Sequence, residues 1–141
     1  MAPVDRGAVA QKLIRLDRVI AELQDIGKTS RKDFVRNERL QAATERYFIL
    51  GIEIITDIGN HLLVELAGKG GHSYESIIED LGRAGLVSPA LAKRNAGMAR
   101  FRNLLVHVYE VTEPELVYGY LKKAPKEFRA FAKSFSRHLK G

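Results

Sequence analysis

The chain contains no cysteine, which excludes a disulfide framework, iron–sulfur clusters and every thiolate zinc site. Charged residues break each apolar run well before the ~18 residues of a membrane span, so no spanning helix is expected. The N-terminal MAPVDRGAVAQ has neither the apolar centre nor the small-residue cleavage site of a secretory signal, and a cytoplasmic protein without membrane contact is expected. No segment alternates apolar and polar residues between turn signals, so no sheet is expected. No repeat of roughly 20–50 residues is present. HExxH, GxSxG and a glycine loop closed by GK[ST] are also missing, which leaves zinc-protease, serine-hydrolase and P-loop chemistry without support.

What is present suits one helical domain spanning residues 1–141, long enough to bury a single core. A hydrophobic fraction of 45% argues against disorder. The net charge of +6 is unevenly placed. Residues 1–40 carry nine bases and six acids, residues 41–90 three bases and seven acids, and residues 91–141 eleven bases and four acids. The C-terminal excess suits a polyanion or an acidic protein. Ordinary solvated helix faces look the same, so charge alone identifies no partner.

The periodicity is helical. Val9, Leu13, Leu16, Ile20 and Leu23 form one stripe of a first helix ended by Gly27. Ser30, with Asp33 three residues on, caps a long second helix whose stripe reads Leu40, Ala43, Tyr47, Leu50, Ile54, Ile58 and Leu62. Gly51 and Gly59 lie inside it, where close helix packing is one use and mild bending another. Gly68, Gly70 and Gly71 break the chain. Ser73 starts a short helix closed by Gly82 and Gly85. Ser88-Pro89 opens a fourth helix expected to run to Tyr109 or Val111. Thr112 and Glu115 form a capping box around Pro114 for a fifth. Pro125 is expected to separate a last helix, whose Phe128, Phe131, Phe135 and Leu139 have the spacing of a buried stripe. The fold class is thus an all-α antiparallel bundle of five to six helices.

Chemistry has few places to reside. His61, His72 and His138 lack acid or histidine partners at metal-ligand spacing. Glu53 and Asp57 could form half of a carboxylate metal site, but the matching half is missing. No metal or cofactor is expected. The exception is Ala99-Arg100-Phe101-Arg102-Asn103-Leu104-Leu105-Val106-His107-Val108-Tyr109. On an ideal helix Asn103 and His107 share a face, whereas Arg102 and His107 lie about 140° apart. They meet only if the helix loosens near His107, or if a two-fold dimer builds a cleft between two such helices. Arginine offers a planar fork for a phosphate and imidazole titrates near neutrality. Together they suffice for RNA cleavage by the 2′-hydroxyl without a metal. A buried histidine and an arginine salt bridge on an ordinary helix would read identically.

RNLLVHVY, read as R-N-x-x-x-H-x-Y, resembles the signature of HepT-like proteins of the HEPN superfamily, which carry R-x4-6-H on a helical bundle. LQAATERYFILGIEIITDIGNHLL is similar to the family's long second helix, and the likeness extends over most of residues 34–123. The resemblance implies a HEPN-like endoribonuclease toxin of a toxin–antitoxin pair, acting as a homodimer beside an MntA-like nucleotidyltransferase antitoxin. It assigns Arg102 and His107 to the catalytic pair and Asn103 to the polar position inside the motif. Tyr109 falls on the tyrosine that the antitoxin of related pairs modifies with AMP. Lys93, Arg94 and Arg100 would attract the RNA backbone. The alternative is a non-catalytic helical subunit of a nucleotidyltransferase complex, since fold does not fix function. Duplex DNA binding by the basic C-terminal helices has weaker support, for want of a recognition helix.

Overall fold

A computed structural model of the chain describes residues 5–107 and 113–139. Among these residues there are seven α-helices, one 3-10 turn and no strand. Helix α1 spans Arg6–Ile26, capped by the Asp5 carboxylate at its start and ended at Gly27. Helix α2, Arg31–Val35, is one short turn capped by Ser30. Helix α3, Glu38–Ala67, is the long central element. A 3-10 turn, Tyr74–Ser76, leads into α4, Ile77–Arg83. Helices α5, Pro89–Arg94, and α6, Met98–Val106, are short, and α7, Pro114–Arg137, closes the fold.

The antiparallel bundle of the sequence reading is borne out. Cross-links between Asp5 and His61, and between Lys12 and Asp57, run α1 against α3. Lys122 reaches Gly27 and Arg129 reaches Gln24, which runs α7 against α1. The core lies where these three helices meet, and Leu16, Ile20, Leu23, Phe48, Ile52, Ile55, Phe128, Phe131 and Phe135 are fully buried there.

Four details differ from the sequence reading. Ser30 caps only α2; the Asn37 side chain accepts from the Leu40 N–H and restarts the chain as α3. The buried seam of α3 runs through Thr44, Phe48, Gly51, Ile55, Ile58 and Leu62, so its N-terminal half is displaced by one residue from the expected stripe and Ala43 is exposed. The displacement follows from the glycines: Phe128 and Leu81 fill the space where side chains at Gly51 and Gly59 would stand. The helix expected from Pro89 onward is interrupted at Asn95–Gly97, where the buried Asn95 amide donates to the Leu91 carbonyl. Finally, α7 runs unbroken through Pro125. The lost N–H and ring clash cost about 3 kcal/mol, which burial of Leu121, Ala124 and Phe128 on either side offsets. The capping box expected at Thr112 lies outside the described residues; Glu113 precedes α7 without a side-chain cap.

By length and composition α3 could cross a membrane, contrary to the reading of charge-broken runs. Half of that apolar window is buried in the core, where α3 packs against α1, α4, α6 and α7. At the end of α3, Gly68 adopts the left-handed conformation (φ 76°) and its N–H returns to the Leu63 carbonyl, a closure that glycine makes without strain.

The two kinds of glycine predict opposite outcomes. Gly51→Ala drives a methyl into the Phe128 ring and should destabilise by about 1–3 kcal/mol. Gly119→Ala, in α7 with nothing within 4 Å, should stabilise by about 0.5–1 kcal/mol. Urea unfolding of both variants measures the difference.

Candidate functional site

The interruption at Asn95–Gly97 decides where the motif sits. It lets α6 start afresh from Gly97 and pack on α3. Phe101 lies 6.0 Å from Phe48 and 4.5 Å from Tyr120 between ring centroids, and Leu105 is buried. The helix then ends. His107 is its C-cap, with extended backbone (φ −79°, ψ 90°), and the His107 N–H donates to the Leu104 carbonyl at 3.3 Å. The helix therefore ends at His107, the loosening on which a meeting with Arg102 depends.

Arg102 is held from two sides. Its Nε donates to Glu53 Oε1 at 3.1 Å, and its Nη2 donates to the same oxygen. Nη1 donates to Asn103 Oδ1 at 3.0 Å. The guanidinium carbon lies 5.6 Å from the centroid of the Tyr74 ring, within cation–π reach,. Only 27% of the Arg102 side chain is exposed, against 41% for Glu53. The group borders an open cleft of about 260 Å³ lined by Glu53, Thr56, Asp57, Asn60, Tyr74 and Ile77. Its wall is anchored: Asn60 Oδ1 accepts the Gly71 N–H at 2.9 Å, and Asp57 pairs with Lys12 at 2.7 Å.

Arg102 and Asn103 are thus brought together, with the exposed His107 ending the same helix. Tyr109 lies outside the described residues. Lys93, Arg94 and Arg100 are exposed, and none lines the Arg102 cleft. Arg94 forms a two-pronged pair with Glu127 at 2.7 and 3.2 Å. Arg100 borders a separate groove that also carries Glu75 and Glu79. The carboxylates at Glu53 and Asp57 are committed to Arg102 and Lys12, not to half a metal site. Among the described residues no three histidine, aspartate or glutamate side chains cluster to hold a metal. His61 Nε2 accepts the Asp5 N–H at 3.3 Å, and His138 Nε2 lies 3.0 Å from the Leu86 carbonyl.

Glu53 and Tyr74 are the partners that the sequence reading missed. A carboxylate on an otherwise apolar stretch of α3 was the available signal. Nothing local pointed to Tyr74, which reaches Arg102 only through the fold.

The family model described as ribonuclease HepT-like matches residues 16–135. The chain belongs to the HepT-like ribonuclease family. Arg102, Asn103, His107 and Tyr109 all lie inside the matched span, which confirms the family suggested by R-N-x3-H-x-Y. A tRNA nuclease HepT of Aphanizomenon flos-aquae is 27% identical over 140 residues, covering 99% of this chain and 95% of that protein. The tri-AMPylated HEPN toxin of Shewanella oneidensis, solved in complex with an MNT antitoxin, superposes with a TM-score of 0.82 at 19% identity, covering 97% and 99% of the two chains. YutE of Bacillus subtilis, a cytosolic protein of unknown function, gives 0.82 at 24% identity over 99% and 93%.

The Arg94–Glu127 pair of this HepT-like chain also sets a pH dependence. The hydrogen bond from Arg94 holds the Glu127 carboxyl below its ordinary range. A depressed carboxylate contributes stability above its unfolded pKa and loses it as pH falls through the folded one. Glu127→Gln should therefore lower stability near neutrality and flatten the acid limb of a stability–pH curve, the difference from the unsubstituted protein closing below about pH 4.5. Thermal melts across pH 3–7 check it.

Proposed function

We propose that this chain is an endoribonuclease toxin that cleaves RNA through Arg102 and His107 without a metal ion, restrained by a nucleotidyltransferase antitoxin. The observation that carries the reading is the held guanidinium of Arg102 at a cleft mouth, five residues before an exposed imidazole on a helix end. Guanidinium has five N–H donors. Glu53 and Asn103 take three, and the other two, one on each terminal nitrogen, form the fork that a phosphate would use.

The chemistry follows from these groups. The RNA 2′-oxygen attacks the adjacent phosphorus, forming a P–O2′ bond as the P–O5′ bond breaks. The 2′-hydroxyl proton passes to the His107 imidazole, and the 5′-oxygen leaves carrying a proton, so the net transfer is from one oxygen to the other. Charge gathering on the phosphorane oxygens is met by Arg102. Glu53 and Asn103 keep the fork aimed. The similarity to a tRNA nuclease supports transfer RNA as the substrate class.

A homodimer is part of this reading. Leu104 and Val106, on the motif helix, leave 37% and 43% of their surfaces exposed, and a second copy packed there would cover them while setting two motifs across one groove. The nucleotidyltransferase partner rests on the toxin–antitoxin complex to which the fold is similar. Tyr109 is the proposed acceptor of AMP: its phenol oxygen would displace pyrophosphate from ATP. The resulting bulk and negative charge two residues past His107 would oppose an incoming RNA phosphate.

Two measurements test the proposal. Arg102→Ala and His107→Ala should each lower RNA cleavage by about 10²-fold or more while keeping the wild-type melting profile. Cleavage by His107→Ala at the wild-type rate would overturn the mechanism and favour the non-catalytic subunit. Intact mass after co-expression with the nucleotidyltransferase should show one or more AMP additions, which Tyr109→Phe removes.

A further inference from the structure

We propose that the exposed face of α7 is a docking surface for the phosphate backbone of folded RNA, separate from the cleft that holds Arg102. The choice of partner rests on the ribonuclease reading; the surface itself rests on the charges of α7. This helix carries six bases and two acids. Both acids are occupied, Glu115 by Arg31 and Glu127 by Arg94. Two bases are also engaged: Lys122 donates to the Gly27 carbonyl at 2.9 Å, and Lys123 lies 5.5 Å from the Tyr120 ring centroid. The remaining four, Lys126, Arg129, Lys133 and Arg137, are exposed, and none is in an ion pair among the described residues. Arg129 has a 3.5 Å contact with Gln24.

Their spacing of three, four and four residues confines them to an arc of about 80° and a line of about 16 Å. Lys133 and Arg137 stand on a ridge between two grooves. One, of about 470 Å³, runs past Ser88 and His138 and has no carboxylate in its lining. The other, of about 380 Å³, lies against α1, and its one acid is Asp17.

A protein partner would need an apolar centre to its interface. The exposed large apolar side chains of the described residues are Ile14, Val64, Leu66, Leu104, Val106 and Leu116, none of them on this stretch of α7. A line of cations without an apolar centre fits a polyanion. In a duplex each strand offers a phosphate about every 3 Å of axis, so the stripe meets several at once and exceeds the reach of a mononucleotide. None of the four residues lines the Arg102 cleft, so the surface would hold the body of the RNA and not the scissile bond.

The test uses binding, in an Arg102→Ala background, so that cleavage does not enter. A transfer-RNA transcript is titrated at several salt concentrations against this protein and against one also carrying Lys126→Gln, Lys133→Gln and Arg137→Gln. The triple change should weaken binding about tenfold or more at low salt and reduce the slope of log K against log salt by about two to three. Lys32→Gln with Lys69→Gln, exposed elsewhere, should stay within about twofold of the parent. Affinity and slope equal to the parent would overturn the proposal. So would retained RNA affinity with loss of a co-expressed nucleotidyltransferase, which would make the stripe a protein surface. A wild type that binds RNA through the stripe yet cleaves none would sink the ribonuclease reading and leave this one standing.

Discussion

The approach of α7 onto α3 at Gly51 is the constraint from which the site geometry descends. The Phe128 ring occupies the space that any side chain at Gly51 would need, so the two helices lie closer than larger residues would allow. That spacing lets Tyr120 reach Phe48 edge-on at 4.7 Å and Phe101 at 4.5 Å. Phe101 immediately precedes Arg102, so the orientation of α6 is inherited from this aromatic cluster. The arrangement leaves the buried Tyr120 hydroxyl without a hydrogen-bond partner among the described residues. Burial, followed by the nearby Glu127 charge, pushes its ionisation upward, and an unpaired buried hydroxyl costs about 1–3 kcal/mol. The fully buried aromatic rings of Phe48 and Phe128 outweigh it, at about 1.5–3 kcal/mol each.

The Arg102–Glu53 pair has a different purpose from these contacts. With both partners partly open to solvent, such a pair adds about 0–1 kcal/mol of net stability, too little to matter for the fold. What it supplies is direction. One carboxylate oxygen takes the Nε and Nη2 donors together, Asn103 takes Nη1, and Tyr74 lies against the guanidinium. A long side chain that would otherwise sample many rotamers is confined before any ligand arrives, which lowers the ordering cost of binding. Asn103, the polar position inside the motif, thus holds the guanidinium through Nη1.

The helical architecture was legible because several starts carry a local signal: Ser88 caps the helix that the sequence assigns to it, Ser73 the 3-10 turn that leads into α4, and Ser30 a short helix ahead of the long one. The misreadings arise where tertiary packing overrides local rules. Pro125 reads as a break, yet a helix with a full apolar face passes through it. The α3 stripe is off by one residue in its first half because the glycines, not the largest apolar side chains, mark the contact line. Arg102, Asn103 and His107 stood out as residue types that chemistry uses in one short segment. Glu53 and Tyr74 did not, because they reach Arg102 from elements 49 and 28 residues away in the chain, a distance no periodicity encodes.

Charge is distributed in a way that separates attraction from orientation. The cleft beside Arg102 contains Glu53 and Asp57, and Lys12 neutralises one of them. Its local balance is therefore close to neutral, and it draws in no polyanion by itself. Arg94, Glu115 and Glu127 are likewise spent on cross-links between elements. What remains uncompensated is concentrated along α7, on the side opposite its buried Leu121, Phe128 and Phe135. A long-range field comes from the net unpaired charge of a surface, whereas a rate-enhancing contact needs one charge held in one direction. These demands conflict at a single place, since the carboxylate that orients an arginine also cancels it. Placing them on different helices resolves the conflict, and this explains how a chain of net charge +6 can tolerate carboxylates at the cleft where a phosphate would be held.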